Sequence, residues 1–185
     1  PEGPYLEHAT DGALAAFEAQ LERLASAGYE IERVPMFENF EETDTLRGKV
    51  HEAELAMNHE AWFDEYEPYY RKSSAERVRS GRGVTIEELL EGRRVIEARR
   101  PTIEAAMDDH GVDVWVSPAA PGPAPDTFTN TGDPVMNRPW TDSGMPALTL
   151  PVDEIDDLPI GLQCTTRFME GERLLGWAED LYAVL

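Results

Sequence analysis

Between Val112 and Cys164 the chain carries three short apolar runs set between prolines, and this arrangement restricts its fold more than any other feature. Val112, Val114 and Val116 alternate with Asp113 and Trp115, the period of a strand whose two faces differ. Ser117-Pro118 stops that run, because proline brings no N–H to a ladder. Ala147-Leu148-Thr149-Leu150 is a second run, closed by Pro151. Leu158 to Cys164 is a third, with Gly161 where a neighbouring backbone can come close. The segment from Pro118 to about Gly144 reads as a long loop rich in proline, glycine and threonine, and it carries Trp140. Long ordered loops inside a compact domain tend to be functional. Asp153-Glu154-Ile155-Asp156-Asp157 reads as a solvated hairpin connection.

Upstream of these runs, residues 1–111 read as mainly helical. Thr10 or Asp11 caps a helix with Leu14, Phe17, Leu21 and Leu24 on one face, and Gly28 stands where a left-handed C-cap belongs. Tyr29 to Val34 then reads as a short strand ended by Pro35, which together with the helix makes half of a βαβ crossover. A second helix opens at Thr43 or Asp44, with Leu46, Val50, Ala53 and Met57 on one stripe. Ser73 with Glu76, and Thr85 with Glu88, are capping-box patterns that start two more helices. The later one runs through Leu89, Leu90, Ile96, Ile103 and Met107 to Gly111, with Pro101 expected to kink or split it. Glu170 or Glu172 begins a last helix with Leu174, Leu175, Ala178, Leu181, Tyr182 and Leu185 on its apolar face. The expected fold class is α/β, a mixed β-sheet flanked by helices. It forms one domain over 1–185, mainly helical to 111, with strands, a pocket loop and a terminal helix over 112–185.

Charge excludes one class of partner. The net charge is −21, from 37 acidic and 16 basic residues, the wrong sign for a phosphate backbone, so no direct nucleic-acid contact is expected. Only Lys49 and Lys72 are lysine, and acid surplus with lysine scarcity suggests a protein that works in high salt, where self-repulsion is screened. The sequence has neither an apolar run that would span a bilayer nor a signal-peptide pattern, so a soluble, cytoplasmic protein without a membrane partner is expected. Cys164 is the single cysteine and reads as a small buried hydrophobe. His51 and His59 lie two helical turns apart, too far for one ion, so no metal site is expected. Trp62, Phe63, Tyr66, Tyr69 and Tyr70 cluster around Pro68, as packing at a helix break or as the wall of a substrate funnel. The chain begins at Pro1, which reads as an expressed or processed fragment.

Asp113-Val114-Trp115-Val116-Ser117-Pro118, continuing through Ala119-Ala120-Pro121-Gly122-Pro123-Ala124-Pro125, resembles the strand and proline loop of amidase signature enzymes. Thr131-Gly132-Asp133-Pro134, Asn137-Arg138-Pro139-Trp140-Thr141, Gly144-Met145-Pro146-Ala147-Leu148 and Leu158-Pro159-Ile160-Gly161-Leu162-Gln163 follow in that family's order and spacing. Leu24 to Ile31 resembles a pattern further upstream. The whole chain thus resembles the C-terminal portion of such an enzyme.

The resemblance implies hydrolysis of a carboxamide C–N bond without a cofactor. The family's nucleophilic serine and second serine in a cis peptide would lie in a glycine- and serine-rich stretch before Pro1, with the lysine base upstream of that stretch. Ser73-Ser74 lacks flanking glycines, Ser143-Gly144 lacks the preceding glycine of a nucleophile elbow, Ser26, Ser80 and Ser117 have no paired serine, and Lys49 and Lys72 match no base, so no catalytic residue is expected here. The resemblance places Asp133, Asn137 and Trp140 in the substrate-binding wall; alternatively Asp133 and Asn137 only hold the loop. Asp142-Ser143 stand where many relatives have a more apolar pair. Expected partners are a small-molecule amide, the missing catalytic segment and a second copy in a homodimer. Two other readings remain: the A subunit of a tRNA-dependent amidotransferase, and a non-catalytic binding or scaffold protein derived from the fold.

Overall fold

The computed structural model describes residues 1–127 and 130–185. They form two compact units: Pro1–Glu38 with Arg99–Leu185, and Asn39–Ala98.

The first unit is built on a three-stranded sheet: β1 (Trp115–Pro118), β2 (Ala147–Ile155) and β3 (Leu158–Thr165), in the order β1-β3-β2. Both pairings are antiparallel, with Val116 opposite Cys164 and Leu148 opposite Cys164 from the other side. The fold is α/β as expected, but the mixed sheet is corrected: among the described residues the one parallel contact is an isolated bridge between Glu2 and Pro35. Tyr29 to Val34 therefore does not join the sheet as a strand. Glu2 N–H donates to Val34 O and Met36 N–H to Glu2 O, both at 2.8 Å, and the contact goes no further because Pro4 has no N–H to extend it.

Period-two alternation gives the sheet two unlike faces. One is apolar: Leu148, Leu150, Val116, Leu162 and Cys164 pack on Phe17, Leu21 and Leu24 of α1 (Asp11–Ser26) and on Leu174, Ala178 and Leu181 from the C-terminal helix (Gly171–Tyr182). That helix buries a narrower stripe than predicted, since Leu175 and Tyr182 stay exposed. Trp115, Ser117, Gln163 and Thr165 occupy the opposite face, where an apolar cluster of Ile103, Met107, Trp140 and Met145 covers Trp115. The end of α1 follows from Gly28 at φ 98°: Tyr29 N–H bonds Leu24 O and Gly28 N–H bonds Ala25 O, a Schellman cap. β2 and β3 join through Asp156 and Asp157 at φ 52° and 62°, the left-handed pair a two-residue hairpin turn requires. Asp153 is not solvated as expected. A bulge between Pro151 and Asp153 turns its carboxylate to Arg23 at 2.6 Å and to Gln20 at 2.7 Å.

The second unit is helical: α2 (Phe40–His59), α3 (Phe63–Tyr66), α4 (Lys72–Arg82) and the first part of α5 (Ile86–His110). Pro101 does not split α5, which is one helix over that range. The Thr85–Glu88 capping box forms, Glu88 N–H to Thr85 Oγ1 at 3.2 Å and Thr85 N–H to Glu88 Oε2 at 2.9 Å. The Ser73–Glu76 box does not; α4 starts at Lys72 with no side-chain cap, and Glu76 pairs with Lys72 at 3.8 Å. Helix crossings here depend on glycine. A Cβ on Gly81 would stand 1.8 Å from Glu52 O, and one on Gly92 2.5 Å from Leu46 O. Phe63 is buried against Ala56, Ala75 and Val78, while Trp62, Tyr66 and Tyr69 are exposed. No helix among the described residues is long and apolar enough to cross a membrane.

Candidate functional site

The expected loop from Pro118 to Gly144 contains structure of its own: a 3-10 turn, Val135–Asn137, leads into α6 (Arg138–Ser143), which Gly144 ends at φ 66°. α7 is then the C-terminal helix already described. Asp133 starts the turn, its Oδ1 accepting Val135 N–H at 2.9 Å and Arg138 Nη2 at 2.7 Å. It is exposed and acts on its own loop.

Asn137, half-buried, ends a polar chain whose other members are buried. Gln163 Nε2 donates to Asn137 Oδ1 at 2.6 Å, and Asn137 Nδ2 donates to Ala119 O at 3.2 Å. Ser117 Oγ donates to Gln163 Oε1 at 3.3 Å. Ser117 Oγ also stands 3.2 Å from the Tyr5 hydroxyl, whose proton goes to Met136 O at 2.6 Å. Trp140 Nε1 donates to that hydroxyl at 3.2 Å. Burial, only partly countered by its bonds to Ser117 and Trp140, pushes the Tyr5 phenol up to about 12, so it remains a neutral donor. Trp140 is 2 % exposed, edge-on to Tyr5 and Phe37. Of the three residues expected at the substrate wall, Asn137 and Trp140 thus join one network through Tyr5, Ser117 and Gln163, and Asp133 stands apart from it.

The network ends on the backbone of Ala119, which is fixed again by its N–H bond to Gly161 O at 3.1 Å. Two residues on, Pro121 O accepts Thr10 N–H at 2.7 Å. Ala119, Ala120, Gly122, Thr149, Ile160 and Gly161 line a groove of about 240 Å³ at this end of the sheet. Gly161 gives the close approach expected of it: a Cβ there would lie 2.4 Å from Thr149 Cγ2. The groove is mainly apolar, and it suits an acyl or alkyl group more than a charged one.

The serines and lysines have other engagements. Ser143 is buried and donates to Trp140 O at 2.8 Å, while its carbonyl accepts Arg100 Nε at 2.6 Å. Ser73 and Ser74 are exposed in the first turn of α4. Lys49 pairs with Glu88 at 3.7 Å and Lys72 with Glu76. Burial pushes the Cys164 thiol up to about 12, so it is no thiolate nucleophile. His59 Nδ1 meets the Tyr70 hydroxyl at 2.5 Å. No group of three or more His, Cys, Asp or Glu among the described residues is placed to hold a metal ion.

Sequence reasoning missed Tyr5, Ser117 and Gln163. A signal existed for two of them. In the run Leu158 to Thr165, period two puts Gln163 and Thr165 together, and pairing with the Val112–Val116 run brings Ser117 to the same face. Tyr5 had none, since its partners lie 112 and 131 residues away.

No protein-family model and no curated protein matches the chain. Solved structures do match. An amidase aligns over 96 % of this chain and 44 % of its own, with a TM-score of 0.85 and 24 % identity. A 6-aminohexanoate cyclic dimer hydrolase, solved with its substrate, aligns over 96 % and 42 % with a TM-score of 0.75 and 18 % identity. A bacterial aryl acylamidase of the amidase signature family aligns over 95 % and 42 %, with a TM-score of 0.68 and 12 % identity. The chain has the fold of part of an amidase signature enzyme and spans about two fifths of the length of these structures.

Proposed function

We propose, from the fold it shares with amidase signature enzymes, that this chain is the C-terminal part of an enzyme that hydrolyses carboxamide C–N bonds. It supplies one wall of the acyl pocket, while the Ser-Ser-Lys machinery comes from residues before Pro1. The observation that carries this reading is where the chain of hydrogen bonds leads. They run from Tyr5 and Ser117 through Gln163 and Asn137 to the carbonyl of Ala119, a lining residue of an apolar groove. A wall held this way positions an acyl group. It does not lower the barrier by itself, because binding ground and transition states equally gives no rate in the chemical step. A glutamyl-tRNA(Gln) amidotransferase structure from Thermotoga maritima, that of its A subunit, aligns with a TM-score of 0.53, below the 0.85 of the amidase, so the hydrolase reading is preferred.

An ammonia-release assay tests the proposal. The 185-residue chain alone is expected to show no turnover above background, and the chain joined to its upstream coding sequence is expected to hydrolyse amides. Turnover by the chain alone that disappears with Ser73→Ala, Ser74→Ala or Ser143→Ala overturns the assignment. Within the joined protein, Asn137→Ala should change kcat/KM unequally among amides of different acyl length. An equal loss on all of them, tracking a fall in melting temperature, assigns Asn137 to the loop alone.

A further inference from the structure

The helical unit contains the one strongly basic stretch of an acidic chain. From Arg71 to Arg82 there are five basic residues and a single acid, Glu76. Three of the five are neutralised locally: Lys72 by Glu76, Arg79 by Glu67 and Arg82 by Asp64. Arg71 and Arg77 have no carboxylate partner among the described residues, and both line the same groove of about 440 Å³. Small-molecule sites fall at about 300–1,000 Å³. Ser74, on the same turn of α4, adds a hydroxyl to the lining.

Two tyrosines line the groove as well. Tyr70 is held in place, its hydroxyl accepting Trp62 Nε1 at 2.9 Å and meeting His59 Nδ1 at 2.5 Å. Tyr69 stands beside it, 84 % exposed. Two arginines and two tyrosines lining one groove match a planar body that ends in an anion, since the guanidinium fork binds carboxylate in a bidentate way and ring faces stack on flat groups. Net charge selects among anions. On a chain carrying −21, a dianion meets twice the long-range repulsion that a monoanion meets.

We propose that the groove lined by Arg71, Arg77, Tyr69 and Tyr70 is a binding site for an aromatic monocarboxylate. It lies wholly within Asn39–Ala98, shares no lining residue with the Ala119 groove, and its occupation does not depend on the amide-hydrolase reading. The probe is benzoate, titrated into the 185-residue chain by calorimetry, with folding of each variant checked by far-ultraviolet circular dichroism. Saturable binding is expected, weakened tenfold or more in the Arg71→Ala/Arg77→Ala double variant and several-fold in Tyr69→Ala. Arg71→Lys/Arg77→Lys keeps the charge without the fork and should fall between wild type and the alanine pair. Arg93→Ala, at a partnered arginine outside the groove, should leave the affinity unchanged. The proposal is overturned if benzoate does not saturate, if the arginine pair can be removed without loss, or if benzamide binds as tightly as benzoate. It is overturned equally if inorganic phosphate matches benzoate and Tyr69→Ala has no effect, for the site would then attract anions in general.

Discussion

The two units are held together by different means. In the sheet unit, side chains far apart in sequence meet in a hydrogen-bonded chain, with Tyr5 reaching Met136 and Ser117, and Gln163 reaching Asn137. In the helical unit, backbones come together where a side chain is missing, at Gly81 against Glu52 and at Gly92 against Leu46, and ion pairs tie the surface. Charge separates them too. Asn39–Ala98 holds 14 acidic and 9 basic residues, a net −5, and the sheet unit holds the remaining 23 and 7, a net −16. A fold can thus take its order from contacts that satisfy buried polar atoms or from surfaces shaped to lie close. The two respond to different perturbations.

The largest effect should come from the polar chain. Trp140→Ala removes a buried indole and the donor to Tyr5, and is expected to cost about 3–5 kcal/mol. The check is hydrogen exchange resolved along the chain: protection should fall in β1, β3 and α6 and persist in α2 and α4. Uniform loss would dissolve the contrast. Gly81→Ala is the mirror experiment. Its methyl would meet Glu52 O, part of a backbone that cannot swing aside, so about 3 kcal/mol is expected from overpacking. Here protection should fall in α2 and α4 and hold in the sheet.

Alkaline pH should act on the sheet unit through Tyr5 and Cys164, more weakly. Burial raises both Tyr5 and Cys164 to about 12, from 10.0 and 9.0. The folded state holds these protons more tightly, so the stability they contribute is complete below pH 9 and is lost as pH climbs from 9 toward 12. By pH 10 the loss is about 1–2 kcal/mol. The near-ultraviolet signal of Trp115 and Trp140 reports it, and Cys164→Val should move the onset upward. An unchanged onset would show that the thiol is not the first group to ionise.

The smallest effect is ionic. The Debye length shrinks from about 30 Å at roughly 10 mM salt to about 3 Å at molar salt. Melting temperatures should therefore rise with salt by several degrees, and exchange protection should rise more in the net −16 unit than in the net −5 unit. A flat melting temperature removes the high-salt reading of the composition.

What the sequence disclosed follows the range of the interactions. The Thr85–Glu88 box, the Gly28 cap and the alternation of Val114, Trp115 and Val116 are set within a few residues, and each is legible in the residues alone. Ser73–Glu76 carries the same pattern as Thr85–Glu88 and fails, because α4 already begins at Lys72, which leaves Ser73 inside the first turn and not at the capping position. α6 was hidden in the loop by its length: six residues are too few to show a helical period, although Pro139 in its first turn and Gly144 at its end are helix signals. Asp153 looked solvated because its partners, Arg23 and Gln20, lie 130 and 133 residues back. At the candidate site Asn137 and Trp140 could be named from the resemblance. What they touch could not, because it is set by three-dimensional pairing alone.

The bond from Tyr5 to Met136 also bears on the order of synthesis. On a ribosome, Asn39–Ala98 emerges as an uninterrupted stretch whose helices α2 and α4 can pack on each other at once. Tyr5, already outside, must wait until Met136 and Gln163 have followed it. The sheet unit is therefore the late-closing part of the chain, with many residues to gather across a long loop, and such closures are slow. During that wait Tyr5, Phe17 and Leu21 are uncovered, so a nascent chain stalled before β3 would present them to holding chaperones while its helices were already formed.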